Sequence, residues 1–407
     1  MPFRSAVIGT GFIGPVHLEA LRRIGVEVAA VIGSSPEKSI AAADRFGISS
    51  THRTLADVLD DPSIDVVHVA SPNRLHFEHA AAVLRSRKHV MCEKPLGLNS
   101  AETAELVQIA EHSGQRAAVA HNIRFYPMCV ESATRVRSGS DIAPGFGEVL
   151  HVQGGYVQDW LLKPTDFNWR VTTEHGGATR AIADIGTHWM DLIQFITGQS
   201  IVAVMARLHT VHPTRYRPTG TTSTFGAGDG PTEAVTVQTE DCGTVAFELS
   251  GGSIGNLFVS QTTAGRKNCL RFEIAGSNAT LAFNSERPNE LWIGHRDGPN
   301  ETLMRDPALL QPSAAGITDY PGGHNEGFPD TFKQLFAAFY DSIANPDSTG
   351  GPESTGGPSP IGSPRSTENW GNVHAAVPTF ADGHREVLLC EAILRSHQTR
   401  QWVEIAT

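Results

Sequence analysis

Residues 5–14 restrict the fold more tightly than any other stretch of this chain. Ser5-Ala6-Val7-Ile8 is an apolar strand that runs into Gly9-Thr10-Gly11-Phe12-Ile13-Gly14, and a helical period follows at His17, Leu18, Ala20, Leu21 and Ile24. In that strand-to-helix setting the first glycine of G-x-G-x-x-G permits a tight turn. The second lets backbone N–H groups approach a pyrophosphate, and the third allows close helix packing, while the helix N-terminus favours negative charge. With a second strand at Val26 to Ile32, the pattern specifies a dinucleotide site.

Folds of this kind that bind NAD usually carry an Asp or Glu at the tip of the second strand to hold the ribose 2′-hydroxyl. Here the tip reads Gly33-Ser34-Ser35-Pro36-Glu37-Lys38, and the acid is missing. Ser34, Ser35 and Lys38 suit a 2′-phosphate, which a carboxylate would repel, so NADP is favoured and NAD remains possible. The same residues also read as the cap of a helix from Pro36 to Phe46, with Pro36 at its first position. Both readings can hold together.

Helices at Thr54 to Asp60, Phe77 to Ser86 and Ser100 to Ser113 alternate with strands at 66–70, 89–92 and 117–120. Such alternation specifies a doubly wound parallel sheet, an α/β fold whose ligands lie at the strand C-termini. Ser71, Pro72, Asn73 and His76 therefore border the crevice, as do Glu93 and Lys94, where Pro95 stiffens the backbone beside the lysine. Residues 121–127 form the crossover to a second domain; Asn122 within it and Arg170 beyond it are further cofactor-binding candidates. At 407 residues two domains are expected, divided here into 1–124 and 125–407.

The second domain contains Ala183-Asp184-Ile185-Gly186-Thr187-His188-Trp189-Met190-Asp191-Leu192. At helical spacing Asp184, His188 and Asp191 share a polar stripe beside an apolar one of Ile185, Trp189, Leu192 and Ile196. A histidine one turn from a carboxylate can serve in proton transfer, the carboxylate raising its basicity and orienting it. It can equally be an ordinary pair of helix neighbours.

Composition narrows the partners. The 32 basic and 43 acidic side chains give a net charge of −11, which disfavours nucleic acid and anionic membrane. No apolar run approaches a membrane span, and the first residues lack the apolar region of a signal peptide, so a cytoplasmic protein is expected. Five cysteines, an odd and scattered set without Cys-x-x-Cys, point to reduced, mostly buried thiols rather than disulfides or a metal site.

Taken in order, the glycine turn, Glu93-Lys94-Pro95 and the Asp184-x-x-x-His188 segment resemble the Gfo/Idh/MocA oxidoreductases, the group of glucose-fructose oxidoreductase and inositol dehydrogenase. The closing stretch from Pro378 to Ile405 is similar to that family's carboxyl end. The resemblance implies Lys94, Asp184 and His188 as the catalytic set and a nicotinamide cofactor. The missing acid on the second strand departs from the family's NAD-specific members.

Beyond the crossover, Val149 to Gln158 reads as a strand that brings Tyr156 and Gln158 to a polar, aromatic loop with Trp160, Trp169 and Arg170. Aromatic faces beside planar hydrogen-bonding groups suit a polyol pocket, although the tryptophans could equally fill a core. Period-two segments at 234–238, 244–249, 256–260, 270–274 and 280–283 predict an antiparallel sheet with one covered face and another available for helices or a second subunit; together with the family resemblance this implies a dimer or tetramer. His324, on a Gly-rich loop before a helix from Thr331 to Ile343, is a further substrate candidate. Residues 345–372 are low in complexity and are read as a surface loop; a helix and strand occupy 380–405.

The expected function is hydride transfer between NAD(P) and a secondary alcohol or ketone carbon of a sugar, glycoside or polyol, with His188 as general acid/base. Alternatives on the same fold are an NAD-dependent glycosidase, which would consume no cofactor, and a non-catalytic dinucleotide-binding regulator. The regulator would need none of Lys94, Asp184 and His188.

Overall fold

A computed structural model describes residues 3–138, 145–219, 231–345 and 377–405. Its first sheet holds β1 (Arg4–Ile8), β2 (Glu27–Ile32), β3 (Val66–Val69), β4 (His89–Cys92) and β5 (Ala117–Val119), all parallel, in the order β2-β1-β3-β4-β5. The strands are apolar because both faces are covered, by α1 (Ile13–Arg23), α2 (Pro36–Phe46), α3 (Leu55–Asp60), α4 (His76–Arg85) and α5 (Ser100–Ser113). Local chemistry sets the helix ends. Ser35 caps α2 by accepting from the Lys38 N–H, Pro36 opens it, and Gly47 closes it at φ 62°.

The chain leaves this sheet through a short 3-10 turn at Asn122–Phe125 and then forms α6 (Pro127–Arg137). The second sheet begins with β6 (Val149–Val157). After α7 (Thr173–Gly176) and α8 (Thr187–Thr197) come β7 (Ile201–His209), β8 (Thr214–Pro218), β9 (Thr232–Thr236), β10 (Cys242–Leu249), β11 (Ile254–Ser260), β12 (Cys269–Gly276), β13 (Ala279–Asn284), β14 (Glu290–His295) and β15 (Glu301–Met304). Helices α9 (Pro312–Ala315), α10 (Phe328–Ala344) and α11 (Phe380–Thr399) follow, with β16 (Val403–Glu404) last.

The order β15-β14-β13-β12-β6-β11-β10-β7-β16 makes a large mixed sheet, mainly antiparallel, with β6 and β11 running parallel. The expected strand at 234–238 belongs elsewhere: β9 pairs only with β8 in a separate hairpin, and its mostly exposed residues give it no face to bury in the large sheet.

Helix α8 lies across the inner face of the large sheet. Trp189 is fully buried there, its indole N–H donating to the Arg271 carbonyl at 2.9 Å, beside Phe247. Register places Met205, Ala246, Asn256, Gln153, Glu273, Ala282 and Trp292 in one row across the opposite face. Met205, Trp292, Ile254 and Phe258 are exposed on it.

The two sheets do not separate cleanly at 124/125. Helix α10 packs on α1, where His17 meets Phe332 and Phe336, and Phe380 at the start of α11 joins the core of the first sheet. Apart from Asn345, the low-complexity segment 345–372 lies outside the described residues. Among the described residues no helix is long and apolar enough to cross a membrane. No group of three His, Cys, Asp or Glu among them could hold a metal ion. The cysteines are unbridged, four of them buried and Cys242 partly so.

Candidate active site

A cleft of about 860 Å³ opens at the C-terminal ends of β1 to β4 and extends to the inner edge of the second sheet. That volume suits a cofactor-sized ligand with a small substrate beside it. Gly9, Thr10, Gly11, Phe12 and Ile13 line one end. Gly9 has φ +120°, and a Cβ on it would come 2.1 Å from the Ala70 carbonyl oxygen. Gly14, outside the lining, packs its α-carbon against the Gly9 carbonyl, where a Cβ would also sit 2.1 Å away. Gly11 alone meets nothing within 4 Å, which leaves the turn open toward the cleft. This is the division of labour a pyrophosphate requires: strained turn, bare approach, tight packing. The residues present fit a dinucleotide.

At the tip of β2, Ser34 and Lys38 line the same end, the lysine Nζ donating to Ser34 Oγ at 2.9 Å. Ser35 does not line the cleft, because its hydroxyl caps α2. Ser71, Pro72 and Asn73 form the next wall. His76 lines it too, and ties two loops together: its ring nitrogens lie 2.7 Å from the Pro95 carbonyl and 2.8 Å from that of Ser71.

At the far end Lys94 meets Asp184. Its Nζ donates to Asp184 Oδ1 at 3.0 Å and to the Asp184 backbone carbonyl at 2.8 Å. Arg170 approaches the same oxygen at 3.5 Å while stacking 4.4 Å from the Trp169 ring centroid. Burial pushes the Asp184 carboxyl up, but the charges of Lys94 and Arg170 outweigh it and hold the group well below the usual carboxylate range. It is an anion at any working pH.

The backbone around Asp184 forms a π-helical turn, Ile182–Gly186, ahead of α8. The polar stripe expected at helical spacing splits here. Asp184 leaves toward Lys94, His188 faces the cleft, and Asp191 is buried against Arg124, which donates to its carboxylate from Nε at 2.7 Å. Asp191 is therefore a structural ion pair. The expectation that Asp184 orients the His188 ring is also corrected, although its charge does raise the ring's basicity. No hydrogen bond joins them; His188 Nδ1 is sealed without a partner, which leaves Nε2 as the nitrogen able to meet a ligand. Burial first, then the Lys94 and His121 charges, push its pKa well below the usual value, and the Asp184 carboxylate only partly opposes them. The ring is a neutral imidazole at pH 7.

Tyr156, Gln158, Trp160, Trp169, Glu93 and Asn122 also line the cleft. Asn122 is fixed by its amide, which donates to Thr331 Oγ1 at 2.6 Å. His324 does not line the cleft: it is exposed on the loop before α10, where its backbone carbonyl accepts from Arg305. Residues the sequence did not single out complete the wall. Asn268 accepts from Tyr156 Oη at 2.6 Å and Gln158 Nε2 at 2.8 Å, and Lys267 pairs with Asp159 at 2.7 Å. Behind the wall, Gln261 donates from Nε2 to Asp184 Oδ2 at 2.7 Å. No local pattern announces Asn268 or Gln261, since each acts across a long sequence separation.

Residues 3–121 match the model of the oxidoreductase family with an NAD-binding Rossmann fold, and residues 143–282 match the GFO/IDH/MocA C-terminal domain. Levoglucosan dehydrogenase of Pseudarthrobacter phenanthrenivorans is 28% identical over 98% of this chain and 97% of its own. The solved structure of a levoglucosan dehydrogenase with NADH and levoglucosan superposes with a TM-score of 0.83, at 26% identity and 100% coverage of both chains. An oxidoreductase domain protein from Kribbella flavida gives 0.82 at 28% identity, again with 100% coverage of both chains. With both of its domain models matched in order along well over half of its length, the chain belongs to the Gfo/Idh/MocA oxidoreductase family.

Proposed function

We propose that this protein is an NAD(P)-dependent dehydrogenase or reductase acting on a secondary alcohol or ketone carbon of an uncharged sugar, glycoside or polyol. The observation that carries the reading is that Lys94, 90 residues before Asp184 in sequence, converges with Asp184 and His188 on one cleft whose other end is the glycine turn. A nicotinamide bound there supplies the hydride acceptor or donor. The chain supplies the proton chemistry. In the oxidative direction His188 Nε2 takes the hydroxyl proton, and the Lys94 ammonium, anchored on Asp184, stabilises charge developing on that oxygen. Reduction reverses the roles.

The substrate end favours a neutral ligand. Lys94 and Arg170 share Asp184, and Lys267 is matched by Asp159, so the cations there already face carboxylates. The Trp160 and Trp169 rings, with Gln158 and Asn268, offer apolar faces and planar hydrogen-bonding groups to a carbohydrate. On the cofactor, Ser34 and Lys38 without an acid at the tip of β2 support NADP over NAD.

The exposed Met205, Ile254, Phe258 and Trp292 support pairing of two copies through the outer face of the large sheet.

The experiment is a screen of neutral sugars and polyols at the reduced-nicotinamide absorbance band, with wild type and His188→Ala. Stoichiometric cofactor reduction that His188→Ala loses by about a hundredfold or more in kcat supports the reading. Sugar release without cofactor turnover, or full activity in His188→Ala, rejects it.

A further inference from the structure

Gln261 follows directly on β11, is fully buried, and stands between two charged groups. Arg180 Nη1 donates to its Oε1 at 2.8 Å. A guanidinium has no acceptor, so the amide oxygen must face Arg180 and the amide nitrogen must face the other way. There it donates to Asp184 Oδ2, the carboxylate oxygen that Lys94 does not use. The amide cannot turn round without setting a donor against Arg180 and an acceptor against a carboxylate.

Arg180 is itself fixed. It pairs with the buried Asp241, which also pairs with Arg215 and accepts from the His212 N–H at 2.9 Å. Glu240 accepts the backbone N–H groups of Arg180 and Ile182, both at 2.9 Å, and so holds the entry to the π turn that carries Asp184. The network also reaches the loop of Trp160. The Gln261 carbonyl accepts from the Leu161 N–H at 3.1 Å, and Arg215 donates to the carbonyls of Leu161, Lys163 and Asp166, each at 2.9 Å.

We infer that Gln261 is a positioning residue: its amide, oriented by Arg180 and Asp241, holds the Asp184 carboxylate so that Oδ1 stays on Lys94, and its backbone ties that pair to the substrate loop. The inference rests on the dehydrogenase reading for its kinetic consequence but not for its structural one. Without the Nε2 donor, the carboxylate is free to rotate, and the lysine ammonium keeps only the Asp184 backbone carbonyl as a fixed partner. Gln261 lies outside the cofactor wall, so dinucleotide affinity should not follow.

Two variants test this. Gln261→Met keeps the length and removes both hydrogen bonds; Gln261→Glu keeps an acceptor for Arg180 but sets an oxygen against Asp184 Oδ2. Each is compared with wild type in four readouts: melting temperature, reduced-cofactor fluorescence titration, kcat and KM across pH, and the rate of Lys94 acylation by acetic anhydride, mapped by mass spectrometry. The expected result for Gln261→Met is a kcat lower by about 10- to 100-fold, with the cofactor Kd within about twofold of wild type and Lys94 acylated several-fold faster. Gln261→Glu should lose more activity at pH 8 and recover part of it at lower pH, where one proton shared between the facing carboxyls restores a donor. A residue that only packs would leave Lys94 acylation unchanged.

An unchanged kcat in Gln261→Met, or a fall matched by lost cofactor affinity, overturns the proposal. Should Gln261→Met not fold, Lys94 acylation in Gln261→Glu decides: faster supports positioning, unchanged rejects it. Should wild type oxidise no sugar or polyol, the dehydrogenase reading falls, and Lys94 acylation still decides: faster in the variants supports positioning, unchanged rejects it.

Discussion

Lys94 is bound to Asp184 twice, once through the carboxylate at 3.0 Å and once through the backbone carbonyl at 2.8 Å, so the last residues of one sheet and the π turn beneath the other are clamped by a single ammonium. The same cation pushes the nearby His188 ring toward its neutral form, while the Asp184 carboxylate pulls the other way. A general base must be unprotonated, so with His188 in the proposed role the pKa depressed by burial and by Lys94 should place the acid limb of kcat/KM for alcohol oxidation below the usual histidine value of 6.5. Lys94→Met removes the depressing charge, so the limb should move to higher pH; Asp184→Asn removes the opposing one, so it should move to lower pH. Both should lose about a hundredfold or more in kcat. Rate profiles from pH 5 to 9 check the signs, and shifts in the same direction for both variants would sink the assignment.

The three glycines of the turn should separate stability from binding. Gly9→Ala drives a methyl into the Ala70 carbonyl at a φ of +120°, and should cost at least about 2 kcal/mol of folding stability along with cofactor binding. Gly11→Ala meets nothing within 4 Å and should melt within a degree or two of wild type, yet bind the dinucleotide about tenfold or more weakly. Thermal melts with and without NADP, beside a fluorescence titration, read both effects. Equal loss of affinity and stability in the two variants would contradict the division of roles.

What could be read in the sequence was what depends on near neighbours. The glycine turn, the Ser35 cap and the Pro36–Phe46 helix follow from local backbone chemistry, and the structure reproduces their limits. Glu93 and Lys94 were legible as strand-end residues because parallel strands deliver their C-termini to the crevice. Helical spacing puts Asp191 on the stripe of Asp184 and His188, but it says which residues share a face, not which of them finds a partner such as Arg124 in the 3-10 turn after β5. Gln261 was invisible for the same reason: the carboxylate it holds is 77 residues away. His324 failed on burial, since a Gly-rich loop predicts access without saying to what.

Cofactor choice turns on the tip of β2. Ser34 and Lys38 face the cleft there, with the ammonium 2.9 Å from the hydroxyl. Ser34→Asp places a carboxylate where a 2′-phosphate would sit and beside a ribose 2′-hydroxyl it could accept from. The ratio of kcat/KM for NADP over NAD should fall by about a hundredfold, about 3 kcal/mol. Steady-state kinetics with the two cofactors measure it. A wild type that already prefers NAD, unchanged by the substitution, would remove the NADP assignment.

A buried polar chain sets the acid limit of stability. Glu93 Oε1 lies 3.0 Å from His17 Nε2, His17 Nδ1 lies 3.1 Å from His68 Nδ1, and His68 Nε2 lies 3.0 Å from the Tyr340 hydroxyl on α10. Burial, reinforced by the neighbouring His17, pushes the His68 pKa well below 6.5, and burial also lowers His76 and His121. Well above pH 6.5 these rings are neutral in both folded and unfolded chains, so they impose no pH dependence there. As pH falls below 6.5 the unfolded chain takes up protons that the folded one refuses. Each such ring should then cost up to about 1.4 kcal/mol per pH unit, until its folded-state pKa is reached. Urea unfolding at pH 7.5, 6.5 and 5.5 should show little change over the first step and a marked loss over the second. His68→Gln, which can still reach the Tyr340 hydroxyl, should flatten that loss by about one proton's worth. Equal stability at pH 7.5 and 5.5 in wild type would mean that these rings titrate alike in both states, and the buried chain would then not limit the fold.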